Sequence, residues 1–195
     1  MTNPSHRIPR HRRWAARFIL LVACLGTVAT SPTQSPDIVA EYEAASVSLT
    51  TDAPVTTHPL RVRVSSEKPL SDSVEVSVET EFTARWRPAD PSSTVKPWFL
   101  ARLSRSSDDG LDPGPAVAFI LEPSGQPGTG HTEGSFDSPV CTPEQVCEWN
   151  IVVEFELQPD ATAGTVEVDW KVKAAAHVVG STKLPKGFAL QLLEN

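Results

Sequence analysis

The sequence predicts an all-β fold: an antiparallel β-sandwich of about eight strands, immunoglobulin-like in architecture, set behind an N-terminal signal segment. Three observations predict it. Apolar and polar residues alternate with period two over three long runs, no helical periodicity of useful length follows residue 45, and Pro, Gly and Ser collect between the runs. A closed β-barrel is the alternative, because runs of this length also suit barrel staves.

The N-terminal segment is built differently from the rest. Arg7, Arg10, Arg12, Arg13 and Arg17 stand in its first seventeen residues without one acidic side chain. An apolar stretch follows from Phe18 to Gly26, then the small residues Thr27-Val-Ala-Thr-Ser31. Basic, apolar and small-residue parts in this order are the three parts of a secretory signal peptide. The apolar stretch is shorter than the about 20 residues a spanning helix needs. The pair Arg12-Arg13 matches a twin-arginine signal weakly, because Trp14-Ala15-Ala16 follows it. Two cleavage points are open. Thr27-Val-Ala29 offers small residues for a cut before Thr30, giving a signal peptide over 1–29. Leu21-Val-Ala-Cys24 resembles a bacterial lipobox, which would end the signal at residue 23 and place a lipid on Cys24. Residues 30–44, rich in Ser, Thr and Pro, then read as a tether, and 45–195 as a single sandwich domain.

Export changes the charge. The 195-residue chain has 17 basic and 24 acidic residues; all the acids lie beyond residue 30, so the processed chain holds 12 basic against 24 acidic. Such a surface repels phosphate backbones, which excludes nucleic acid as an expected partner. With Cys24 in the signal, Cys141 and Cys147 remain as an even pair, and an exported domain is expected to join them. The ring would be small, so the loop-entropy contribution is only about 2 kcal/mol, enough to pin a loop.

The first long run is Val74, Val76, Val78, Thr80, Phe82, Ala84, Trp86, backed by Glu75, Ser77, Glu79, Glu81, Thr83, Arg85, Arg87. The second is Cys147, Trp149, Ile151, Val153, Phe155, Leu157, and the third Val166, Val168, Trp170, Val172, Ala174. A Pro/Asp/Gly-containing connection, 158–165, separates the last two, which predicts an antiparallel hairpin with Glu154 or Glu156 facing Lys171 or Lys173. Shorter strands are expected over 45–49, 60–65, 98–103, 116–121 and 188–193. Segment 122–139 is read as a long loop leading into the cysteine ring, the first place to look for recognition.

Chemistry is sparse. His58, His131 and His177 are isolated in sequence, and no nucleophile elbow, zinc-binding His-Glu-x-x-His or phosphate loop occurs. Asp108, Asp109 and Asp112 in a Gly/Pro turn are candidate calcium ligands, although the pattern departs from an EF-hand and is ordinary turn chemistry. His131 with Glu133 offers a mixed site, with Asp108 a third candidate wall. Trp86, Trp149 and Trp170 fall on apolar faces and read as core, whereas Trp98 lies on the face of its strand away from the core and is a candidate binding residue. The expected function is a non-enzymatic interaction or structural module of a bacterial envelope, without cofactor, meeting a protein or envelope partner. The alternative is a small extracytoplasmic enzyme or metal- or ligand-binding sandwich using loop carboxylates and His131.

Overall fold

The structure is a computed structural model that describes residues 34–67, 73–107, 110–138, 147–159 and 162–195. Its compact unit runs from Gln34 to Asn195. Among the described residues eleven strands form in chain order: β1 Ile38–Glu43, β2 Val47–Thr50, β3 Val55–Ser65, β4 Val74–Pro88, β5 Trp98–Ser107, β6 Gly110–Asp112, β7 Ala116–Ile120, β8 Gly128–Ser138, β9 Cys147–Leu157, β10 Gly164–Val178 and β11 Ala189–Glu194. They make two antiparallel sheets that do not close into a barrel. The first has the order β1-β10-β4-β8, with β2 also on β10; the second has the order β11-β3-β9-β5-β6, with β7 also on β5. The sandwich is therefore as expected, and the barrel is not.

Alternation is the cause. Along β4, the residues from Val74 to Trp86 are buried at every second position, and β9 and β10 repeat the pattern. Their inward rows meet between the sheets. Phe82 and Trp170 come from the first sheet, and Phe99, Phe119 and Phe155 from the second. Phe155 lies 5.5 Å from Trp170 edge-on and 6.0 Å from Phe82. Phe82 also lies 5.9 Å from Phe99 and stacks on Phe119 at 6.1 Å. Offset and edge-on pairs of this kind add to what burial alone gives.

Three expectations need correction. The hairpin between the second and third runs does not form. β9 bonds to β3 and β5 in one sheet, while β10 bonds to β1, β2 and β4 in the other. The six-residue connection from Leu157 to Gly164 carries the chain from sheet to sheet. Glu154 accordingly pairs with Arg102 at 3.2 Å, and Lys171 with Glu81 at 2.8 Å. Segment 122–139 is not one long loop either, since β8 occupies most of it. Its alternation escapes notice because its inward positions begin with Gly128, Gly130, Thr132 and Gly134, which carry almost no hydrophobicity, before the buried Phe136. Finally, residues 34–44, read as tether, belong to the folded unit. Ser35 donates its backbone N–H to the Val178 carbonyl at 3.0 Å and accepts the Val178 N–H on its hydroxyl at 2.9 Å. Asp37 approaches His177 Nδ1 at 3.1 Å, with Glu75 at 3.1 Å from Nε2, the latter without hydrogen-bonding alignment.

The β8 glycines are a packing requirement. A Cβ on Gly130 would stand 2.7 Å from Phe82 Cζ, and that ring is held by Phe99, Phe119 and Phe155. At Gly134 the nearest atoms, at 3.3 and 3.4 Å, are side-chain ends of Leu103 and Phe136. Gly130→Ala is thus expected to destabilise by about 1–3 kcal/mol in chemical denaturation, as overpacking does. Gly134→Ala should cost clearly less. Equal costs at the two positions would show that the aromatic layer yields.

Candidate functional site

The outward rows of the first sheet carry its polar chemistry. Register places Lys171 beside Glu81 and Glu81 beside His131, so one row crosses β10, β4 and β8. The next row sets Lys173, Glu79 and Glu133 side by side. Along the edge of β10, the end of β1 and the connection to β2 bring Glu43, Ala44 and Ser46 beside them. Together these elements bound a groove of about 780 Å³ whose charged walls are Glu43, Glu79, Glu81, His131, Asp169 and Lys171. Thr83 and Thr129 add hydroxyls to its floor.

Local bonds order these side chains. The Ser46 hydroxyl donates to Asp169 Oδ1 at 2.5 Å, and Arg85 reaches Asp169 Oδ2 at 3.1 Å. Those bonds, the serine's first, hold the Asp169 carboxyl below its usual range. Glu81 is likewise lowered, first by its hydrogen bond from Lys171, then through the charges of Lys171, Lys173 and His131. Lys171 is raised by the same bond, helped by the charges of Glu41 and Glu43. All are exposed, so water screens each pair and the pairs add little to stability. Their effect is to fix positions. The groove presents four carboxylates, of which Glu81 is paired with Lys171 and Asp169 with Arg85, together with one imidazole and hydroxyls between. That is a surface for hydrogen bonding and for positive or neutral polar ligands.

A second constellation lies where β1, β3 and β11 meet. The His58 ring sits 4.8 Å from Trp170 and 6.3 Å from Phe155. Tyr42 lies 6.1 Å from Trp170. Burial first, then the nearby Glu194 carboxylate, raise the Tyr42 phenol. Burial lowers His58 despite the opposing pull of Glu194. His58 lies in β3, its ring turned among aromatic rings.

The structure separates the residues singled out from sequence. His131 and Glu133 stand exposed on β8, with His131 in the groove. Trp98 is half-buried on the outer face of the other sheet, opposite Ile120, with its backbone N–H given to Gln158 Oε1 at 3.2 Å. The two therefore do not form one site. Asp112 ends β6, exposed and opposite Arg105. Cys24, Cys141, Asp108 and Asp109 lie outside the described residues. Cys147 opens β9 at 9% exposure. Among the described residues, no three His, Cys, Asp or Glu side chains group as metal ligands, and no helix is long and apolar enough to cross a membrane. Sequence reasoning missed Glu81, Asp169 and Lys171 as site residues. Their outward alternation was visible, but only strand register brings them to His131.

The His58 environment makes a prediction. Its folded-state pKa lies below the ordinary 6.5, so the unfolded chain takes up the proton first as pH falls. The stability it contributes is present above pH 6.5 and is lost as pH falls through that value toward the lower folded one. Thermal melts of His58→Gln should show a shallower acid-side decline below pH 6.5 than the parent chain. Identical declines would remove His58 as the cause.

No protein-family model matches the chain, and no curated protein matches it. Solved structures similar to it are sandwiches. The CBM22-1 xylan-binding domain of Paenibacillus barcinonensis Xyn10C is 11% identical with a TM-score of 0.26, over 77% of this chain and 88% of that one. The N-terminal cellulose-binding domain of Cellulomonas fimi β-1,4-glucanase C is 13% identical with a TM-score of 0.27, over 75% and 88%. The empty Cowpea Mosaic Virus particle supplies a third, 11% identical with a TM-score of 0.27, over 74% and 89%. What these share with the chain is the β-sandwich fold.

Proposed function

We propose that the chain is an exported, non-enzymatic interaction module of a bacterial envelope, and that its recognition surface is the groove on the outer face of the first sheet. The observation that supports it is the groove's lining: carboxylates from three elements, open to solvent, of which Asp169 and Glu81 are fixed by short bonds to Ser46, Arg85 and Lys171. Rigid placement lowers the ordering cost of binding. The excess of carboxylate favours a basic segment of a partner protein and opposes phosphate-bearing ligands. Export follows from the basic, apolar and small-residue order of the first thirty-one residues, with Cys24 as lipid anchor and Cys141 joined to Cys147.

Calorimetry with an oligolysine and an oligoglutamate probe tests the surface. The oligolysine is expected to bind, and Glu79→Gln combined with Glu81→Gln to weaken it by about tenfold. Glu154→Gln with Glu156→Gln, on the other sheet, should leave it unchanged. Equal losses from both pairs would reduce the binding to net charge and refute the groove.

A mass spectrum of the chain from an exporting host tests the rest. Cleavage before Cys24 with added lipid is expected, and alkylation should reach Cys141 and Cys147 only after reduction. Cleavage before Thr30 without lipid would overturn the anchor, and alkylation without reductant would overturn the disulfide.

A further inference from the structure

We infer that β8 is a self-association edge: two copies of this chain join β8 to β8, antiparallel and centred on Thr132, extending the first sheet across both molecules. Four observations lead there. β8 bonds to β4 along eleven residues and ends the sheet, and among the described residues its other edge has no backbone partner. It is also the longest terminal strand. The other ends of the sheets are built from β1, β2, β6, β7 and β11, each of six residues or fewer. Sheet edges are normally blunted by short strands, proline and charged side chains, lysine above all; β8 is long, has neither lysine nor proline, and carries Glu133 and Asp137 as its charges.

The strand is complementary to itself. A twofold axis perpendicular to the sheet keeps outward residues opposite outward residues. Centring on Thr132 then sets His131 against Glu133 of the second copy, Glu133 against its His131, and Thr129 against Ser135. Centring on His131 would oppose two imidazoles, and centring on Glu133 would oppose two carboxylates. Within one chain Glu133 has Glu79 beside it, so a facing imidazole relieves a like-charge contact.

The inward row fits as well. Thr132 is 3% exposed, and its hydroxyl finds no hydrogen-bond partner; the same holds for Thr80, its neighbour in register on β4. A buried hydroxyl without a partner is costly. Across the proposed axis Thr132 meets its own copy, giving the row Thr80–Thr132–Thr132–Thr80 in which hydroxyls can satisfy one another. Gly130 and Gly134 oppose each other across the axis and leave no side chain in the way.

Sedimentation equilibrium of the purified full chain, in a mild detergent that masks the apolar stretch 18–26, tests the inference. A dimer is expected. His131→Glu should weaken it at least tenfold, by placing carboxylates opposite each other, and adding Glu133→Lys should restore it. His131 and Glu133 are exposed, so folding should survive, and circular dichroism would verify it. A monomeric parent chain overturns the inference. So does a dimer indifferent to the single substitution, or one that the second substitution fails to restore.

Discussion

The aromatic layer between the sheets is the constraint on which the rest depends. Phe82, Phe99, Phe119, Phe155 and Trp170 contact one another across the sandwich at 5.5–6.1 Å between ring centres. These rings are too large for every strand above them to carry a side chain of its own. β8 therefore approaches the layer with glycine at 128, against Phe119, and at 130, against Phe82. The aromatic side of the core thereby determines the composition of an edge strand, and the edge strand carries one wall of the groove.

Inside and outside were legible in the sequence; neighbours were not. Period two assigns each side chain of β4, β9 and β10 to a face, and burial agrees almost position by position. Pairing is a different kind of information. β3, β4, β5, β8, β9 and β10 each lie in the opposite sheet from the nearest of these strands along the chain, apart from the short β6 and β7 that stay beside β5. A local hairpin rule therefore picks the wrong partner for β9 and β10, although it is physically sound for strands that remain in one sheet. The hydrogen bonds of β10 go to residues near 40 and 80, and no local signal encodes that separation.

The same limit hid the site. Glu79, Glu81, Lys171 and Lys173 were readable as outward charges, yet the signs matter only once register sets Glu81 against Lys171 and His131. His131 could be named but not placed, because the strand that holds it has glycine where a hydrophobic residue would have announced it. His58 shows the converse. Its Thr-Thr-His-Pro context suggests a turn, whereas β3 begins before it and carries its ring against Trp170.

Groove and edge are consequences of one arrangement. A strand with glycine inside must draw its specificity from its outward residues and its backbone. On β8 the outward residues are Thr129, His131, Glu133 and Ser135, and the backbone is bonded on one side. The first fact gives the groove its imidazole; the second leaves a row of polar groups that water or another strand must meet. Joining two β8 edges would bring the two grooves next to each other on one continuous face, with both His131 side chains near the axis. A ligand long enough to cross that axis would meet carboxylates from both copies, and such bivalent contact strengthens binding without any new type of interaction.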